Sequence, residues 1–137
     1  MDQEIIFQLL ASVILGAIIG MERETKRKGA GLQTYSLICF GSCLFSTVAF
    51  YLGNLKILDP SIIIMAVAVG MGFIGAGVIS KKEEEVFGLT TAAGLWATSA
   101  MGLALGAKLY SLALLSTIFI LLIFVVFGFV EKTLFKK

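Results

Sequence analysis

Apolar stretches alternate with short charged ones along the whole chain. Ile5–Met21, Leu32–Leu52, Ile62–Ile79, Leu89–Leu105 and Leu109–Val130 contain no Asp, Glu, Lys or Arg. A helix needs roughly 20 apolar residues to cover the hydrocarbon core of a bilayer, with about 17 to 25 tolerated. Each stretch meets that length, so the pattern predicts an all-α integral membrane protein with five transmembrane helices. Joining the last two stretches would put about 40 residues into one crossing, well beyond that range.

The polar gaps orient the bundle. Of the 11 basic residues, nine fall in alternate gaps (Arg23, Lys26, Arg27, Lys28, Lys81, Lys82, Lys132, Lys136, Lys137) and two, Lys56 and Lys108, in the others. Basic residues of short loops stay in the cytoplasm, so the pattern predicts an external N-terminus and a cytoplasmic C-terminus. Asp2 and Glu4 precede the first apolar stretch and the basic cluster follows it, the reverse of a secretory signal. The stretch should remain as a helix.

Composition narrows the class. An apolar fraction of 58% and a mean hydropathy of +1.00 exceed the roughly 45–50% apolar usage of soluble domains. The net charge of +2 resides in the loops and reflects topology, not nucleic-acid binding. The gaps are too short for a soluble domain or a nucleotide-binding fold, and a single membrane domain over residues 1–137 is expected, in contact with the lipid bilayer.

Membrane helices associate through small residues and a few interhelical hydrogen bonds, so small residues mark contact faces. The first span offers Ser12, Gly16 and Gly20; the second Cys39, Ser42, Ser46, Ala49 and Gly53; the fourth Thr91, Gly94, Thr98, Gly102 and Gly106. Cys39 and Cys43 read as packing residues, with no His and no Met cluster beside them to make a soft-metal site. The third span carries Ala66, Gly70 and Gly77 on one side and Ala68, Gly72 and Gly75 on another. That predicts a central helix touched on both faces, or else a broken helix whose freed carbonyls coordinate a cation. The fifth span, with Gly128 its only glycine, should lie at the lipid edge, and its loss should matter least to the core. Tyr35, Tyr51 and Tyr110 fit an interfacial belt, whereas Trp96, near mid-span, would be buried with its N–H paired. Gly16/Gly20 or Gly102/Gly106 would also serve a homodimer, unless both faces are used within one protomer.

Candidate chemistry is sparse. No ionisable side chain lies in the middle of a span, which weighs against a proton-coupled pump. Glu22, Arg23 and Glu24 end the first span, Glu22 and Arg23 as a solvated boundary pair or as an anchor for the basic loop Thr25–Gly31. Asp59-Pro60 is a helix start, or else an outer carboxylate that attracts Mg²⁺. Thr90 and Thr91 cap the fourth span or bond to Glu22. Lys81-Lys82-Glu83-Glu84-Glu85 is a solvated charge run in a turn. With no His, and Asp2 and Asp59 as the sole Asp residues, catalytic triads cannot be assembled. The expectation is no enzyme and no cofactor.

Gly16-Ala-Ile-Ile-Gly-Met-Glu-Arg-Glu24, Gly70-Met-Gly-Phe-Ile-Gly-Ala-Gly77 and Gly88-Leu-Thr-Thr-Ala-Ala-Gly-Leu-Trp96 together resemble the membrane domain of the MgtC/SapB family, from about Leu10 to Gly106. The resemblance implies a bacterial inner-membrane protein tied to growth at low Mg²⁺ and, in pathogens, to survival inside host cells. It implies a regulator acting on a membrane protein partner such as the F-type ATP synthase; the alternative is a passive cation channel or small transporter. The motif residues carried over are Glu22, Arg23, Thr34, Asp59, Gly70, Gly72, Gly75, Gly77, Thr90, Thr91 and Trp96. Of these Asp59, Glu22, Thr90 and Thr91 are the candidates for a metal. Relatives have an arginine where Gln33 stands and polar residues where Ile62, Ala66 and Val69 stand, and longer members add a soluble C-terminal domain that is not expected here.

Overall fold

The structure, a computed structural model, describes residues 3–134; Asp2, Lys136 and Lys137, used above in the charge pattern, lie outside the described residues. It is helical apart from one hairpin. α1 covers Gln3–Thr25, α2 Leu32–Asn54, α3 Pro60–Val78, α4 Leu89–Gly106 and α5 Tyr110–Leu122; α5 continues through a π-turn at Ile123–Phe127 into α6, Gly128–Leu134. The five apolar stretches coincide with α1 to α4 and the α5–α6 unit. Four of these, α1, α2, α3 and Tyr110–Leu134, are long and apolar enough to cross a membrane. α4 falls short on apolarity because Thr, Ser and Gly dilute it, and those same residues let it pack inside the bundle.

Local signals set the helix ends. Asp59 accepts a hydrogen bond from the Ser61 N–H at 2.8 Å, and Pro60 follows at the first helical position, as the sequence predicts. α2 begins at Gly31, which has no side chain to cap with; the Glu24 carboxylate accepts from the Leu32 N–H at 3.1 Å instead. Between α3 and α4 the charge run forms an antiparallel hairpin, Ser80–Lys82 paired with Glu85–Phe87. Gly88 leaves it with φ +88°, and a Cβ there would run into the Val78 carbonyl. That position requires glycine.

The core is the seam where α2 lies between α1 and α4. The small-residue faces expected for these helices are the buried ones: Ser12, Gly16 and Gly20 on α1, Cys39, Ser42, Ser46 and Ala49 on α2, and Thr91, Gly94, Thr98, Gly102 and Gly106 on α4. A Cβ on Gly16 would stand 2.8 Å from the Tyr35 carbonyl oxygen, and one on Gly106 2.5 Å from that of Cys43. Hydroxyls complete the seam: Ser42 and Ser99 share a 2.7 Å bond, and Ser46 donates to the Leu103 carbonyl at 2.8 Å. Cys39 and Cys43 are free, buried and used for packing, with the Cys43 thiol donating to the Gln8 carbonyl at 3.6 Å.

The expectations for α3 are corrected. α3 is not the central helix: its buried residues are Met71 and Gly75, while Gly70, Gly72 and Gly77 face open space. α2 and α4 hold the centre, because their small and hydroxyl residues gather on one face and interlock, whereas those of α3 are split between two. Nor is α3 broken; it runs continuously from Pro60 to Val78. The Gly16/Gly20 and Gly102/Gly106 faces both pack inside the protomer, the use that stood as the alternative to a homodimer.

The α5–α6 unit does lie at the edge, burying only Ala113, Thr117, Ile120 and Phe124. Yet Phe124 reaches over the buried end of α1, so the unit is part of the core it was expected to leave unaffected. Tyr35 is also corrected, being fully buried where an interfacial position was expected, while Tyr51 is 63% exposed. Trp96 is 54% exposed on the outside of α4. The inward face of α4 is already filled by Gly94, Leu95, Thr98 and Gly102.

Candidate functional site

The last turn of α1 folds inward. Arg23 is 3% exposed, although it sits where a solvated boundary residue was expected. The approach of α1 to α2 at Gly20, where a Cβ would lie 2.7 Å from the Leu32 Cα, turns that part of α1 toward the bundle. One Arg23 Nη donates to the Thr91 hydroxyl of α4 at 3.4 Å, and the guanidinium lies 4.2 Å from the centroid of the Phe124 ring. Phe124 meets Tyr35 edge to face at 6.4 Å. Gly94 makes room for both: a Cβ there would strike the Phe124 ring and stand 2.6 Å from the Tyr35 hydroxyl.

Glu22 completes the cluster. Its carboxylate, with a side chain only 10% exposed, pairs with Lys26 at 2.5 Å and lies 3.7 Å from Arg23. Lys26 also donates to the Phe124 carbonyl at 3.2 Å. A buried carboxylate of this kind is tolerated only when neutralised, and two cations serve Glu22 here. The Tyr35 hydroxyl and Arg23 Nε are buried without a hydrogen-bond partner among the described residues. Two cations beside one carboxylate leave a surplus of positive charge that is unsuited to a divalent metal ion. Among the described residues no three His, Cys, Asp or Glu side chains converge as metal ligands would.

The sequence-derived candidates divide between the two ends and the outside of the bundle. Glu22, Arg23 and Thr91 come together. Thr34 is half-buried in the first turn of α2, beside Glu24 and Gln33 in a shallow depression. Thr90 points outward and is exposed. Asp59 is at the opposite end, where the hydrogen bonds from Ser61 hold its carboxyl below the usual aspartate range. A Cβ on Gly75 would meet Ala92 of α4 at an ordinary 3.6 Å, and Gly70, Gly72 and Gly77 lie outside with Trp96.

Several partners were not found by sequence reasoning. Phe124 and Lys26 carry no motif of their own. Gln8, 1% exposed, donates to the carbonyls of Leu105 and Gly106 at 3.1 and 3.2 Å and so closes the C-terminal end of α4. A polar residue within an otherwise apolar span was the available signal for it. Beside it Glu4 pairs with Lys108 at 2.6 Å and accepts from Tyr110 at 3.3 Å.

Comparison with known proteins extends the site. The profile of the MgtC family matches residues 9–133. The chain is 42% identical to the putative magnesium transporter YhiD of Escherichia coli K12, over 100% of the chain and 66% of that protein. It is 38% identical to protein SapB of Bacillus subtilis, over 88% of the chain and 55% of SapB, and 36% identical to protein MgtC of Brucella abortus, over 82% and 47%. The chain thus spans about half to two thirds of the length of these relatives. No solved structure matches it.

Proposed function

The chain belongs to the MgtC family, and from that premise we propose that it is a regulator in the bacterial inner membrane, linked to Mg²⁺ or membrane-energy homeostasis and acting through contact with another membrane protein. It crosses the membrane five times, N-terminus outside, the Arg23 cluster on the cytoplasmic side. The observation that carries this reading is the contrast between a sealed interior and an open α3. The α1–α2–α4 seam is closed by backbone contacts at Gly16, Gly20, Gly102 and Gly106, while α3 leaves Gly70, Gly72 and Gly77 uncovered beside Phe73, which is 86% exposed. Helix-interior glycines cost about 1 kcal/mol each relative to Ala, a cost that a close-packed partner helix would offset. A membrane ATPase such as the F-type ATP synthase is a partner of the kind the family resemblance implies.

A cation pathway is the second reading, favoured by the name of the E. coli relative. The threonines expected to line it are placed unfavourably: Thr90 is exposed, Thr91 is taken by Arg23, and Thr98 donates to the Gly94 carbonyl at 2.8 Å. Flux of Mg²⁺, K⁺, Na⁺ and H⁺ in sealed proteoliposomes separates the two. The regulator reading expects no selective flux from the purified protein and impaired growth of a deletion strain at limiting Mg²⁺. Selective flux abolished by Gly75→Leu would overturn it. Orientation is read separately, with single cysteines at Lys28, Lys56, Lys82 and Lys108 in a background lacking Cys39 and Cys43. An impermeant thiol reagent on whole cells should label the positions of Lys56 and Lys108 alone.

A further inference from the structure

The π-turn at Ile123–Phe127 interrupts the helix formed by α5 and α6 at one place, and that place holds the residue that covers Arg23. π-turns are rare, shift the hydrogen-bond ladder from i→i+4 to i→i+5, and tend to occur where function requires them. Here the consequence is geometric. Phe124 makes two contacts at the end of α1 at once: its ring stacks on the Arg23 guanidinium at 4.2 Å, and its carbonyl accepts from Lys26 at 3.2 Å. Around it Tyr35 supports the ring from α2 and Gly94 leaves space beneath it on α4. Beyond it, α6 buries no residue.

We propose that the π-turn is a latch that sets the position of α6, with Phe124 as its bolt and Arg23 of α1 and Lys26 just after it as its catch. In the latched state the cluster of Glu22, Arg23, Thr91 and Tyr35 is sealed. Converting the π-turn to regular α-helix removes one residue's excess from the ladder, and so turns everything beyond it by about 100° and shifts it by about 1.5 Å along the axis. Glu131 and Lys132 would then face a different side, and Arg23 and Lys26 would be uncovered together. One-residue register changes of this kind are two discrete packings, which is what a switch needs. The groups facing the latch are Glu22 and Arg23 from α1, Lys26 from the loop after it, Tyr35 from α2 and Thr91 from α4. Lys26, 37% exposed at its side chain, is the member that a cytoplasmic ligand reaches first. The latch stands on this geometry alone and holds whether the protein acts by contact or by transport.

Amide hydrogen exchange on the full chain in lipid nanodiscs tests it. Phe124→Ala should speed exchange about tenfold in Gly128–Leu134 and in the loop from Lys26 to Gly31, the scale of losing a partly desolvated cation–π contact, with α2 and the buried half of α4 unchanged. Lys26→Gln should give the same pattern with a smaller rise, and Phe124→Trp, which keeps an aromatic face over Arg23, should restore slow exchange. Deleting Val126, an exposed residue of the π-turn, removes the extra residue itself, so it should regularise the helix with α6 kept in its latched register and leave exchange in the loop as slow as in the parent chain. Unchanged exchange at both segments in Phe124→Ala, or a rise spread evenly over all helices, would overturn the latch. So would a Val126 deletion that exposes the loop as Phe124→Ala does.

Discussion

Two sets of glycines in this chain have opposite surroundings. Those of α1 and α4 that the seam uses are pressed against α2: Gly16 on Tyr35 and Ser36, Gly20 on Leu32, Gly106 on Cys43 and Ser46. Those of α3, apart from Gly75, meet nothing within 4 Å. The same residue at similar helical spacing therefore marks a tight internal contact in one region and an open surface in the other. Spacing identifies a face on which a backbone can approach closely; it does not say whether a segment of the same chain approaches.

The sharpest way to break this contrast is to fill a glycine on each side. Gly102→Leu should destabilise the bundle by about 3 kcal/mol or more, because the obstacle is the Cys39 backbone, which cannot rotate away. Thermal unfolding in detergent measures it, and a change no larger than that of Gly72→Leu would end the comparison. Arg23→Leu should follow at about 2 kcal/mol, through loss of the Thr91 bond and the Phe124 contact beside a buried carboxylate.

Smaller effects sharpen the same picture. Ser42→Ala should cost about 1 kcal/mol by leaving the Ser99 hydroxyl unpaired in the seam, and the Ser42→Ala/Ser99→Ala pair should cost less than the two singles added together. Gly72→Ala on the open face should stabilise the isolated protomer by up to about 1 kcal/mol through helix propensity. If it weakens recovery of a complex from native membranes while raising the melting temperature, the open face is a contact face. The last effect is the smallest and depends on pH. Asp59, fully exposed, has its carboxyl held below the ordinary value by Ser61, so its capping contribution is present above the unfolded-state pKa of about 3.9 and fades as pH falls through the lower folded value. Exchange of the Ser61 and Ile62 amides should rise only in that acidic window.

Much of the architecture was legible beforehand because each layer of it has a local cause. Five uncharged stretches gave the helices within a few residues, since apolar length and flanking charge act on each segment independently. The Asp59-Pro60 cap is written in adjacent residues. The contact faces of α1, α2 and α4 were legible for the same reason, each being a stripe of small residues within one helix. Glu22, Arg23 and Thr91 were singled out as a motif, and Thr91 lay on an expected contact face, yet the burial of Arg23 was not foreseen, because a charge at the end of a span has no local signature for turning inward.

What the sequence by itself determined, then, is the set of helices, their small-residue stripes and the residues at their ends, all properties that neighbouring positions settle among themselves. Tertiary structure alone decided which stripes meet. It placed α2 and α4 at the centre, left α3 open, buried Arg23 under a phenylalanine 101 positions away, and used a π-turn to bring that ring and its carbonyl onto the end of α1. The physical reason is that close packing is a property of pairs of surfaces. A stripe in one helix states only what could fit against it, and the fit depends on the shape that every other helix presents.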